Sequence, residues 1–173
     1  TGLRVSMTRQ ELRNRVTQTA QGLLRLGVQP GDRVVAIARN NLDTIVASLA
    51  ATGIGAVWSS VAPDLGTESI LLRFRQLEPT LLFTNGLYFY QGAQRSLDKA
   101  LHEIIQALPS LQWLVSLDKD PSFLEPFELS FTSLQELQQA EYNSDFEWPE
   151  LPFNHPLFIM FSSGTTGPPK CIV

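Results

Sequence analysis

The sequence predicts an α/β fold, a largely parallel sheet flanked by helices. Short apolar runs of strand composition recur along the chain: "VVAIA" at 34–38, "AVWSS" at 56–60, "TLLFT" at 80–84 and "WLVSL" at 113–117. Segments with apolar residues at helical spacing lie between them, long enough to carry a crossover from one parallel strand to the next. The chain has 173 residues, 43% of them hydrophobic, which suffices for one packed core.

Taken in order, Thr8 and Glu11 have the spacing of a capping box, and Leu12, Val16, Ala20, Leu23 and Gly27 then recur at helical intervals. They predict a first amphipathic helix running to about Gly27. "QPGD" at 29–32 places Pro second and Gly third in a tight turn before the first strand. Asn41 is the expected cap of a helix that ends near Gly53, and Thr67 that of a third helix with Ile70, Leu71, Phe74 and Leu77 on one face. Pro79 stops that helix ahead of "TLLFT". Ser96 opens a fourth, carrying Leu97, Leu101, Ile104, Ile105 and Leu108 towards "WLVSL". Beyond Asp118 the pattern loosens. Ser133 and Glu136 form a second capping box, residues 142–156 read as a surface connector, and 157–161 as a fifth strand that delivers a loop.

The formal net charge is −4 and no segment is dense in Lys and Arg, so neither nucleic acid nor an anionic membrane is an expected partner. A single cysteine, Cys171, rules out a disulfide framework and paired metal-ligand spacing, and points to a reducing, cytoplasmic compartment. Residues 44–63 are uncharged over about the length of a bilayer span. Ser48, Thr52, Gly53, Gly55, Ser59 and Ser60 within them suit a buried helix turning into a buried strand instead. His155 and His102 read as structural or solvated, Cys171 as a small hydrophobe in a buried strand, and Asp64 as fixing a turn by bonding nearby backbone.

The chemistry concentrates in "SSGTTGPPK" at 162–170. Polyphosphate needs many donors around a compact negative group. Such a loop supplies backbone N–H groups, the hydroxyls of Ser162, Ser163, Thr165 and Thr166, glycines Gly164 and Gly167 for close approach, and the Lys170 ammonium. A Walker A loop fails on spacing and context, because two prolines separate Gly167 from Lys170 and an apolar "CIV" follows it. On residue types alone, a flexible Ser/Gly/Thr turn between two strands competes with a phosphate loop.

"FSSGTTGPPK" resembles the phosphate loop of the adenylate-forming superfamily, [YF]-[TS]-S-G-[ST]-T-G-x-P-K, and matches it at every defined position from Phe161 to Lys170. "MTRQELRNRV" resembles that family's opening T-x-x-E-L segment, and "GIGAVWSSVAPDLG" its second core motif. Arg9 and Leu65 depart from the usual aromatic residues at their positions. "AVWSS" followed by "PD" and Gly, the Phe-Ser-Ser opening and Cys171 are similar to the acetoacetate-activating branch.

The resemblance implies part of the N-terminal domain of the adenylate-forming fold, with residues 1–173 an N-terminal subdomain fragment ending just after the phosphate loop. It implies an AMP-forming acid–thiol ligase that activates acetoacetate with ATP and Mg2+ and transfers the acyl group to CoA. The nucleotide-binding residues would be Ser162, Ser163, Gly164, Thr165, Thr166, Gly167 and Lys170, with Thr165, Thr166 and Lys170 as principal contacts. A catalytic lysine would lie beyond Val173. The fragment alone is expected to be inactive and prone to self-association. The alternatives are a ligase for another short or medium-chain acid and a non-catalytic nucleotide-binding or interaction module.

Overall fold

The computed structural model of the chain describes residues 5–139, 143, 145–162, 167 and 169–173. Helix α1 (Arg9–Arg25) begins at the anticipated capping box, in which the Glu11 N–H donates to Thr8 Oγ1 and the Thr8 N–H to the Glu11 carboxylate. The "QPGD" turn closes through the Asp32 N–H to the Gln29 carbonyl at 3.1 Å, with Gly31 at φ 87, and leads into β1 (Arg33–Ile37). Helix α2 (Leu42–Gly53) is capped by Asn41, whose side-chain oxygen accepts from the Thr44 N–H at 3.0 Å, and β2 (Val57–Val61) follows. Helix α3 (Thr67–Phe74) then leads to β3 (Leu81–Thr84), and α4 (Asp98–Gln106) to β6 (Trp113–Ser116). Between β3 and α4 lie two further strands, β4 (Leu87–Tyr90) and β5 (Ala93–Ser96). Strand β7 (Ser130–Ser133) runs directly into α5 (Leu134–Gln139), and β8 (Met160–Phe161) and β9 (Cys171–Ile172) flank the loop.

Five strands form one parallel sheet in the order β2-β1-β3-β6-β7. Alternate residues of its central strands feed two cores. Val34, Ala36, Leu81, Phe83 and Val115 pack with Ala20 and Leu23 of α1, Ala47 and Ala50 of α2, and Leu134 and Leu137 of α5. Val35, Ile37, Leu82 and Leu114 pack on the other face with Ile70 and Phe74 of α3 and Leu101 and Ile104 of α4. Covering both faces is why β1 and β3 read as unbroken apolar runs. The uncharged stretch at 44–63 is α2 and β2, and among the described residues no helix is long and apolar enough to cross a membrane.

Several expectations need correcting. The cap of α3 is Gly66, at φ 86, and Thr67 is the first helical residue, because a 3-10 turn over Pro63–Leu65 brings the chain in through that glycine. Ser96 ends β5 and α4 starts at Asp98, although Ser96 Oγ still accepts from the Asp98 N–H at 3.0 Å. The β4–β5 hairpin went unseen because its turn is Gln91-Gly92, with φ 51 and 79. Positive φ at both turn positions is ordinarily signalled by Asn-Gly or Asp-Gly. Residues 157–161 do not form a strand of the parallel sheet. Phe158 makes one parallel bridge to Trp58, and the chain then turns away so that Met160 and Phe161 pair antiparallel with β9.

Helix α5 starts on the second anticipated capping box: Glu136 accepts from the Ser133 N–H and the Thr132 hydroxyl, both at 2.8 Å. These bonds, the backbone one foremost, hold its carboxyl below the ordinary glutamate pKa. A carboxyl whose folded pKa is depressed adds stability above the unfolded value, and that share is lost as pH falls through the folded value. The stability gap between the parent chain and Glu136→Ala is therefore expected to be constant near neutrality and to shrink below the ordinary glutamate pKa. Urea midpoints measured across acid pH test this, and a gap that stays constant would refute it.

Candidate phosphate-loop site

The two short strands β8 and β9 bring Ser162 and Lys170 face to face at the base of the loop. The Ser162 N–H donates to the Lys170 carbonyl at 3.1 Å, and the Lys170 N–H points at Ser162 Oγ at 3.4 Å. Lys170 is exposed, and its ammonium makes no ion pair among the described residues. Gly167 is exposed as well, and a Cβ there would have no described neighbour within 4 Å. Of the other expected contacts, Ser163, Gly164, Thr165 and Thr166 lie outside the described residues.

The C-terminal end of α3 grips both arms of this hairpin. The Arg73 guanidinium stands over the Phe161 ring, 5.9 Å from its centroid. Gln76 Nε2 donates to the Pro169 carbonyl at 3.1 Å, and Gln76 Oε1 accepts from Cys171 Sγ at 3.4 Å. Neither residue was singled out in the sequence, because both look like ordinary polar positions on a helix surface. Beside the hairpin base, Thr44, Ser48, Ser59, Ser60, Arg73 and Phe161 line part of a cleft of about 520 Å³.

A second polar cluster closes the C-terminal ends of β1, β3 and β6. The Asp118 carboxylate accepts from Arg39 Nη2, Asn85 Nδ2 and the Gly86 N–H, each at 2.8 Å. The Gly86 carbonyl in turn accepts from the Leu97 N–H at 2.9 Å, so Asp118 braces the root of the β4–β5 hairpin. It is a charge-assisted brace between three strands that no local pattern announces.

The remaining single residues divide as follows. His155 Nε2 lies 2.7 Å from the Gly55 carbonyl and ties the connector to the end of α2, and His102 packs on the Phe127 ring with centroids 4.5 Å apart. Both are structural, as expected. Cys171 is exposed rather than buried, because β9 is paired on one side in a two-stranded hairpin and has no sheet above it. Asp64 is exposed and makes no hydrogen bond among the described residues; the turn is instead closed by the Leu65 N–H to the Ala62 carbonyl at 3.2 Å.

Comparison with known proteins places this geometry. Residues 2–173 match the model of the AMP-binding enzyme family. The chain is similar to the acetoacetyl-CoA synthetase of Macaca fascicularis, with 41% identity over 98% of this chain and 26% of the relative. It is also similar to the malonamoyl-CoA synthetase vrtB of Penicillium aethiopicum, with 39% identity over 99% of this chain and 25% of the relative. Among solved structures, acetoacetyl-CoA synthetase from Streptomyces lividans superposes with a TM-score of 0.85 at 37% identity, over 98% of this chain and 25% of that one. The chain thus spans about a quarter of the length of the relatives it matches. A parallel five-stranded sheet flanked by helices, a loop closed by Ser162 and Lys170, and a family match across nearly every residue agree: the chain belongs to the AMP-binding enzyme family.

Proposed function

We propose that residues 1–173 form the N-terminal subdomain of an AMP-forming acid–thiol ligase, ending just after its phosphate loop, and that the enzyme's acid is acetoacetate. The observation that carries this reading is the Ser162–Lys170 loop base, whose lysine ammonium makes no ion pair among the described residues, in a chain of the AMP-binding enzyme family. In the first step a carboxylate oxygen of the acid attacks the α-phosphorus of MgATP. The bond from that phosphorus to the bridging oxygen breaks, and pyrophosphate leaves. In the second step the CoA thiol attacks the acyl carbonyl, AMP leaves and the thiol proton is released.

The loop serves the first step. Lys170 and the hydroxyls of Thr165 and Thr166 stabilise charge that builds on the leaving pyrophosphate, while Ser162, Ser163, Gly164 and Gly167 shape the turn around it. Mg2+ enters as a ligand of the triphosphate. The names of the relatives bear on the acid. Acetoacetate and malonamate share a carboxylate and a second carbonyl two carbons away, and differ in a terminal methyl against an amide nitrogen. Acetoacetate is preferred because relatives of that name occur among both the sequences and the solved structures. The exposed thiol of Cys171 fits a reducing, cytoplasmic setting.

The test is acid-dependent ATP–pyrophosphate exchange by the longer enzyme carrying this chain, with acetoacetate, malonamate, acetate and hexanoate as substrates. The expected result is exchange strongest with acetoacetate, and none from the 173-residue chain alone. Nucleotide binding without exchange for any acid would replace the ligase reading with that of a non-catalytic binding module.

Apolar side chains stand exposed along the loop hairpin and its approach: Leu157 at 48%, Met160 at 68%, Ile172 at 56% and Val173 at 81%. Together with the unpaired edges of β8 and β9, they support self-association of the isolated chain. Light scattering is expected to give a mass that rises with concentration. A constant monomer mass would overturn that expectation.

A further inference from the structure

We infer that the C-terminal end of α3 is the anchor of the phosphate loop, with Gln76 and Arg73 as positioning residues that set where Lys170 stands. The inference rests on the ligase reading for its kinetic consequence, and on geometry alone for the anchor. Strands β8 and β9 have two residues each, and so small a hairpin is marginal by itself. Its place relative to the sheet must come from contacts outside it. The entry is tied to β2, where the Trp58 N–H donates to the Leu157 carbonyl and the Ile159 N–H to the Trp58 carbonyl, both at 2.9 Å. Those bonds stop short of the loop. The described contacts nearer to it come from α3.

Arg73 covers Phe161 on the incoming arm, and its own guanidinium is steadied by a bond to the Ser69 carbonyl at 2.6 Å. Gln76 takes the outgoing arm. Its amide touches Pro169 through Nε2 and Cys171 through Oε1, so the residues on either side of Lys170 are held by one side chain. The same Nε2 donates to the Leu72 carbonyl at 2.6 Å, which ties the amide, in the turn just past α3, back to the last turn of that helix. Both donors and the acceptor of the amide are thereby engaged. The helix is itself fixed in the core by Ile70 and Phe74, 1% and 0% exposed. A rigid element, a restrained amide and the backbone flanking the lysine form a continuous mechanical path.

Gln76→Met keeps length and helix propensity but removes the hydrogen bonds. In the longer enzyme it is expected to raise KM for MgATP in acid-dependent pyrophosphate exchange about three- to tenfold, the range for losing a modest hydrogen bond. Thioester formation from supplied acyl-adenylate should be unchanged. Cys171→Ala should leave KM for MgATP within about twofold, because a thiol is a weak donor and the Pro169 bond remains. Unchanged exchange kinetics in Gln76→Met, or equal losses in both half-reactions, would overturn the positioning role. If the parent enzyme exchanges with no acid, the ligase reading falls. The anchor is then judged on the 173-residue chain by amide hydrogen exchange at Ser162, whose N–H is held by Lys170. Faster exchange in Gln76→Met, with core amides unaffected, supports the anchor, and an unchanged rate overturns it.

Discussion

Replacing Lys170 with alanine in the enzyme that carries this chain is expected to slow acyl-adenylate formation about ten- to hundredfold, the loss of one charge-assisted contact to polyphosphate. Thioester formation from supplied acyl-adenylate should proceed at the parent rate. The split follows from where charge develops. On the proposed ligase reading pyrophosphate departs in the first half-reaction, so an ammonium aimed at its oxygens would lower that barrier and would have no comparable charge to meet in the second. The structure makes the substitution interpretable. Lys170 is exposed and makes no ion pair among the described residues, and its backbone bond to Ser162 does not depend on the side chain. The variant should therefore keep its fold and its melting temperature. Lys170→Arg should recover part of the rate, since charge is restored on a head of different shape. Equal losses in both half-reactions would make the lysine a structural residue.

Phe83→Ala is expected to destabilise the chain by about 3–5 kcal/mol, the usual cost of removing a buried aromatic ring. Phe83 sits in β3 between β1 and β6, is 0% exposed, and its ring lies 5.7 Å from that of Trp58. With Phe74 it is the largest of the fully buried side chains, and because the sheet is covered on both faces, neighbouring strands block collapse into the space left behind. Against a total domain stability of about 5–15 kcal/mol, the loss takes a large share. Urea denaturation of the 173-residue chain measures it, with Phe153→Ala, at a fully exposed ring, as the internal contrast that should not move the midpoint. A shift under about 1 kcal/mol for Phe83→Ala would mean that this face is not closely packed.

The sequence made the interior strands legible because burial on both faces writes itself as composition. Val34–Ile37 and Leu81–Thr84 have almost no polar interruption, and the caps at Thr8, Asn41 and Ser133 stand where their side chains bond the first turns. Strand β7 was not legible. It is a short, largely polar edge strand, exposed at Ser130 and buried only at Ser133, and its strand character comes from pairing with β6 rather than from its own residues. The opposite error occurred at 157–161, where an apolar run suggested a fifth strand, whereas only Phe158 bridges to the sheet. Leu157, Phe158 and Met160 are instead exposed, so composition there does not report burial within this chain.

The candidate site shows the same division. Residue types at 162–170 suit phosphate chemistry and a flexible turn alike, and it is the resemblance of Phe161–Lys170 to the family's loop that separates the two. What holds the loop is invisible at that level. Gln76 and Pro169 are 93 positions apart, and nothing in "RFRQLEP" marks the glutamine as different from any solvent-facing helix residue. The Asp118 brace is hidden for the same reason, as it joins Asp118 after β6 to Arg39 after β1 and to Asn85 and Gly86 after β3.

The strand order β2-β1-β3-β6-β7 has a consequence for how the chain is made. Each pairing in the sheet joins a new strand to one that precedes it: β2 and β3 to β1, β6 to β3, and β7 to β6. The sheet can therefore grow outward from β1 in the order in which the polypeptide leaves the ribosome, each new strand finding the neighbour it adds to already made. Residues 157–159 return to Trp58 last, and β8 and β9 close after them. The candidate phosphate loop is thus hung on a scaffold already formed, and errors in its closure need not propagate back into the core.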